Sequence, residues 1–377
     1  MRLQTLTTRP TRTGISLLEV VFSIGVVLIG LVGIAALLPL AGVQARKGLI
    51  ADRAAQLGKC AVHDFYVRGM TQPRDWRWYH PTQHRFVPFS PAPGQSFCID
   101  PLLIGVGAAS DFAVRNKFPL NVMYDTVSGS NSMLWMPRCT LAPSLAAGPN
   151  TWMSILQAKQ IFVSQDDLAF TLPKDRTLGP VQNFGTTNDK RQIQAHYSWL
   201  ATVVPKLNRE GMPTNEYTLS IVVFHKRVLD QNLVREDAVG ERVVSVAAFY
   251  NGAPAMGGGD MLLAARPGRP ADDLELRQGQ WVMLSGEKAT NTTPPRLVQI
   301  HRWYRVVATD EAPVQQTLNG NNVWVREVTL VGPDWDYTHT RYSLPYRPVG
   351  TQVTIPRGVV AVYERTIRLE TSSLWTM

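Results

Sequence analysis

The sequence predicts an α+β fold: one long N-terminal helix, transmembrane and then amphipathic, followed by a mostly antiparallel β-rich globular domain. Three observations carry this. Residues 20–43 are apolar and uncharged, residues 44–68 repeat apolar side chains at helical spacing with no proline, and β-branched and aromatic runs dominate from residue 191 onward. With 377 residues, 45% hydrophobic and 18% charged, the chain can bury one large core or two smaller ones.

The helix comes first in order. An uncharged run over 20–43 exceeds the roughly 20 residues needed to cross a bilayer core. Beyond it, Ile50, Ala54, Leu57, Ala61 and Phe65 recur every three or four residues and form one stripe, while Arg46, Lys47, Asp52, Arg53 and Lys59 occupy other faces. A helix over 15–68 is roughly 80 Å long at 1.5 Å per residue. Its first half suits lipid or an apolar bundle, and its second half packs on the globular part. Pro39 removes a backbone donor, so the segment from Pro39 to Gly42 is the expected bend or melting point.

The entry to this helix reads Gly14-Ile15-Ser16-Leu17-Leu18-Glu19. A carboxylate at the mouth of a spanning segment costs roughly 2–3 kcal/mol on insertion scales and usually pairs with another charge. Cleavage after Gly14 creates such a charge, the α-amino group of Ile15. A short leader, glycine, a hydrophobic residue, Ser or Thr, two aliphatic residues, Glu and about twenty apolar residues together resemble the signal of type IV pilins and type II secretion pseudopilins. Ser16 and the stretch Leu28-Ile29-Gly30-Leu31-Val32-Gly33 most resemble the type IV pilus modification minor pilins. The resemblance covers about residues 1–68, and Pro39 falls three residues later than the family's helix-kinking proline. It implies a prepilin peptidase that cuts after Gly14 and methylates Ile15, and a Glu19 that acts in assembly with other pilin or pseudopilin subunits. Two plainer readings stand beside it. One is a removable secretory signal with Arg2, Arg9 and Arg12 as its basic region, although an apolar core of about 7–15 residues is usual there. The other is an uncleaved signal anchor carrying an exported β-rich binding protein for DNA, polysaccharide or a surface ligand. Neither accounts for Glu19.

Charge and cysteines constrain the rest weakly. The net charge is +9, and loss of the three leader arginines leaves 35 basic against 29 acidic residues, spread along the chain. Nucleic acid is therefore not an expected partner. The basic leader places the N-terminus in the cytoplasm and the β-rich part in the periplasm or outside, on a single pass through the inner membrane. Of the three cysteines, Cys98 and Cys139 both lie in the region after the helix. A disulfide between them and a set of isolated buried thiols are both compatible with the sequence.

Residues 70–150 are rich in proline, glycine and serine, and 69–190 read as an irregular connecting region with short elements, including a helix between Trp152 and Leu168. Arg74-Asp75-Trp76-Arg77-Trp78-Tyr79-His80, with His84, Arg85 and Phe86, mixes basic and aromatic side chains. Such a set can stack bases, but it reads equally as a loop whose aromatics cover the core while its arginines stay wet. In the β-rich domain, 191–377, strands are expected at 197–204, 217–224, 242–250, 281–285, 297–308, 323–331 and 359–369. They suggest one large antiparallel sheet or a sandwich. Residues 251–273, with Gly257-Gly258-Gly259, read as a loop.

Catalytic signatures are missing: no G-x-S-x-G elbow, P-loop, G-x-G-x-x-G after a strand, or H-E-x-x-H occurs. His80 and His84 have helical metal-ligand spacing, but Pro81 disfavours helix at His80. Asp334 and Asp336 sit in a turn-like stretch, where a calcium role competes with an ordinary turn. The sequence thus points to no enzyme, cofactor or metal, but to a 14-residue leader, a helix over 15–68 with its membrane part at about 20–43, and a β-rich body.

Overall fold

The computed structural model describes residues 14, 16–92, 94–106, 112–120, 123–125, 130–132, 134–144, 147–164, 168–170, 191–193, 196–208, 210–227, 229, 240–250, 258–289, 297–318, 320–335 and 351–369. The chain divides into two units, Met1–Asp52 and Arg53–Met377. α1 (Leu17–Val67) runs through the boundary and stays helical across Pro39 to Gly42. The expected melting there does not occur. One missing backbone donor is a local loss, and the helical ladder continues on both sides of it. α1 is the one helix among the described residues long and apolar enough to cross a membrane, and none of its most apolar stretch is buried. Leu17, Phe22, Val26 and Ile29 are each at least 67% exposed, an arrangement that water penalises and lipid does not.

In the second unit, the C-terminal part of α1 buries Ala54, Gly58, Ala61 and Phe65, which is the stripe read from the sequence. Gly58 meets the ring of Tyr363, and an added Cβ would lie 2.2 Å from it. Short elements follow: β1 (Trp76–His80), β2 (Arg85–Pro88), β3 (Phe97–Ile99), α2 (Pro101–Val106), α3 (Phe112–Arg115), β4 (Lys117–Phe118), β5 (Met123–Asp125), β6 (Ser130–Ser132), β7 (Met136–Leu141), α4 (Ile155–Phe162), β8 (Leu168–Phe170) and β9 (Arg191–Ile193). α4 is set by a capping box in which the Ser154 hydroxyl accepts from Gln157 N–H and Gln157 reaches back to Ser154.

These elements are more than a connection. β10 (Tyr197–Leu207), β11 (Pro213–His225) and β19 (Val359–Arg368) join them in one eight-stranded sheet of order β19-β11-β10-β3-β7-β1-β2, with β4 on β7. Among the described residues only the β3–β7 pair is parallel. Brevity hides β1, β3 and β7 from a periodicity reading, because three to six residues carry little pattern. β10 extends past the expected stop at Pro205, which pairs with Tyr217 beside a bulge. β3 reaches only Val203 on the other side, so the missing donor of Pro205 costs no ladder bond there.

Both faces of this sheet are buried. Trp199, Ala201, Val203, Leu219, Ile221 and Val223 pack with Phe65 of α1 and Phe162 of α4. The alternate residues Leu200, Val222 and Phe224 pack on the opposite face against Met283 and Trp303.

Those last two residues belong to a barrel. β12 (Glu241–Phe249), β13 (Gly258–Ala264), β14 (Trp281–Ala289), β15 (Leu297–Thr309), β16 (Val314–Leu318), β17 (Asn321–Val331) and β18 (Gln352–Pro356) form a second, antiparallel sheet of order β13-β12-β18-β14-β15-β17-β16. Pairing of β13 with β17 closes six of its strands into a barrel, where the sequence suggests an open sheet or sandwich. The closing strand lies inside the expected loop over 251–273, whose first part, 251–257, is outside the described residues. Gly258 and Gly259 are strand residues, not linker. A Cβ at Gly258 would fall 2.0 Å from the Leu330 carbonyl oxygen, and its φ of +129° suits only glycine, so β13 approaches β17 where only glycine fits. Val244, Leu263, Leu284, Tyr304, Leu330 and Ile355 fill the interior.

Candidate functional site at the mouth of the apolar helix

Gly14 is exposed, and apart from its chain neighbours no described atom lies within 4 Å of where its Cβ would be, so no described packing requires glycine there. Ile15 and the leader arginines lie outside the described residues. Ser16 starts the helix: its hydroxyl accepts the N–H of Glu19 at 3.2 Å, and its carbonyl accepts the N–H of Val20 at 3.3 Å. Ser-x-x-Glu at a helix start is the capping pattern, and a carboxylate in the first turn faces the positive end of the helix dipole. One turn on, the Ser23 hydroxyl donates to the Glu19 carbonyl at 2.8 Å, which satisfies a polar group within an apolar stretch. The Glu19 carboxylate itself is exposed and has no partner among the described residues. Among the described residues the site is therefore one carboxylate without a counter-charge, set in a surface of apolar side chains. Its chemistry is that of a counter-ion.

The remaining predicted positions resolve differently. Cys98 and Cys139 are both free, and so is the exposed Cys60. The Cys98–Cys139 bridge is not formed because the parallel register sets Cys98 beside Arg138 and Cys139 beside Ile99. One residue out of step, the thiols point to opposite faces, Cys98 toward the barrel side and Cys139 toward the helix side. Burial pushes both thiols well above the usual range.

The Arg74–Phe86 cluster forms the β1–β2 hairpin. Trp76, Arg77, Tyr79 and Phe86 are buried, with Trp76 in the main core and Phe86 stacked on Trp152 at 4.6 Å. His80 is on the strand and His84 in the turn, so they share no helix face. Trp335 fills the barrel, and Asp336 lies outside the described residues.

Two polar groupings escape sequence reasoning. Arg138 donates to Asp100 at 2.7 Å and to both oxygens of Glu241 at 2.8 and 2.7 Å, while Arg227 donates to Asp100 at 2.9 Å. All four side chains are buried. Burial pushes the Asp100 carboxyl up, but Arg227 and Arg138 outweigh it and hold it below the ordinary value. Every charge is answered, so the cluster fastens β12 of the barrel to the first sheet and offers nothing to a ligand. The second grouping is Ser285 and His301, opposite each other on β14 and β15, with Oγ and Nδ1 2.8 Å apart. Burial lowers the His301 pKa to about 3. Serine beside histidine has the composition of a nucleophilic pair, but both are at most 3% exposed, which denies a substrate access. No family model, no curated protein and no solved structure matches the chain, so its functional reading rests on its own residues.

Proposed function

We propose that the chain is a non-enzymatic, minor pilin-like or pseudopilin subunit of a type IV pilus or type II secretion apparatus. It is held in the inner membrane by α1 and assembled with other subunits through that helix. The observation that carries this reading is Glu19, a carboxylate with no partner among the described residues, in the first turn of an unburied apolar helix five residues after Gly14. Within an apolar helix bundle an unpaired charge costs several kcal/mol, and the α-amino group of Ile15, on this chain or a neighbour, answers it once prepilin peptidase has cut. A neighbour pairing sets the axial register, because misplaced helices leave both charges alone. Burial of Trp76, Arg77, Tyr79 and Phe86 weakens the alternative of an anchored nucleic-acid binder, since neither the three rings nor the guanidinium is available for base stacking.

Processing tests it. Intact-mass analysis of the protein from its native membrane is expected to show a chain beginning at Ile15 and carrying one added methyl group. Gly14→Val is expected to leave the full-length precursor, and among the described residues nothing packs on Gly14 to give that change a folding cost. A wild-type protein starting at Met1, or cut near Gln44, overturns the reading.

A further inference from the structure

β16 ends the barrel sheet. It pairs with β17 on one side, and among the described residues nothing pairs with its other edge. Val314, Gln315, Gln316 and Thr317 are exposed. Soluble proteins blunt such edges with charges, prolines or bulges. β16 has none, and no charged residue occurs from 312 to 325.

The register fixes what the edge offers. Leu318 pairs with Asn321 across the two-residue connection Asn319-Gly320, the hydrogen-bonded pair that closes such a hairpin. Alternation then turns the N–H and C=O of Val314, Gln316 and Leu318 toward β17 and those of Gln315 and Thr317 outward. Val314 and Gln316 share a face with their partners Val325 and Val323, both buried, whereas Val314 itself is 60% exposed.

We propose that β16 is a self-pairing edge, by which two copies of this chain join antiparallel about a two-fold axis through Gln316. In that register Val314 meets Leu318, Gln315 meets Thr317 and Gln316 meets its own copy. Apolar faces apolar, and the two Gln315–Thr317 pairs each exchange N–H···O bonds in both directions. Only Gln316, on the two-fold axis, meets its own copy, so a charge at that position would face a like charge. The neutral, self-complementary strand favours a second copy over an unrelated strand. This inference is independent of the proposed function.

The test is site-specific cross-linking of the full chain in detergent, in a Cys60→Ala background that removes the exposed thiol. Gln316 pairs with itself at a non-hydrogen-bonded position, with Cα atoms about 4.5 Å apart, inside the range a disulfide spans. Gln316→Cys is expected to give disulfide-linked dimer under mild oxidation at least about tenfold faster than Glu210→Cys, an exposed control position, a contrast sized from the shared backbone bonds. Association through α1 is common to both variants, and an added proline in β16 separates it from edge pairing. Adding Thr317→Pro removes one outward N–H per copy and spares the bonds to β17, so cross-linking is expected to fall about fivefold or more. Circular dichroism verifies the fold, and Gln315→Pro replaces Thr317→Pro if that variant is misfolded. Cross-linking of Gln316→Cys no faster than of Glu210→Cys, or unchanged by the proline in a folded variant, overturns the proposal.

Discussion

His301 shows how one residue ties the seam between sheet and barrel to pH. Its Nδ1 is bonded to Ser285, its Nε2 is buried with no partner among the described residues, and protonation would put a charge there. The unfolded chain binds that proton below the ordinary histidine value of 6.5, and the folded chain only near 3. Stability from this residue is thus full above about pH 6.5 and falls as the pH drops toward 3. Between pH 7 and pH 5 the loss is about 2 kcal/mol. Urea denaturation at the two pH values is expected to show that loss in the wild type and much less of it in His301→Asn. An equal pH dependence in both proteins rules out His301 as its source. Asp100 has the same sign at lower pH: its depressed pKa gives stability that is lost as the pH falls through the depressed value. None of this is legible in sequence. Asp100, Arg138, Arg227 and Glu241 have no common spacing, and the two cysteines look pairable until a one-residue offset sends them to opposite faces.

Elements were legible in proportion to their length and contrast. The stripe of α1 and the long runs in β10, β11, β15 and β19 are readable because many apolar side chains repeat at one period. β16 and β18 are five residues each, and β13 opens with glycines that signal a loop. Barrel closure depends on long-range pairing, which no local pattern encodes. Gly258 is where closure is most sensitive. Alanine there meets the Leu330 carbonyl and an unfavourable φ together, so Gly258→Ala is expected to cost about 2 kcal/mol or more. A lower denaturation midpoint with an unchanged urea slope is the expected signature. An unchanged midpoint means that β13 does not approach β17 as closely as it does here.

At the scale of the whole molecule, the barrel is an insertion in the first sheet. β11 and β19 are neighbours in that sheet, yet β12 to β18 lie between them in the chain. Entry and exit adjoin: Glu241 pairs with Pro356, and Arg357 N–H donates to Gly240 carbonyl. Two adjoining covalent crossings, the apolar seam and the four buried charges fasten the barrel. None of these involves Glu19, which lies in the other unit. Glu19→Val is therefore expected to leave insertion, cutting after Gly14 and the β-rich fold intact, because valine keeps the apolar run and touches none of those contacts. Under the proposed function, incorporation into filaments beside wild-type partners is what it should lose, since the α-amino group of Ile15 would then have no counter-charge. A penalty of about 2–3 kcal/mol for an unpaired charge in an apolar setting corresponds to a loss of at least tenfold. Quantifying mutant and wild-type subunits in sheared filaments from cells that make both gives the ratio, with membrane fractions normalising for expression. Equal recovery of the two removes the pairing role of Glu19 and leaves α1 as a plain anchor, whereas loss from the membrane fraction itself places the role of Glu19 in insertion.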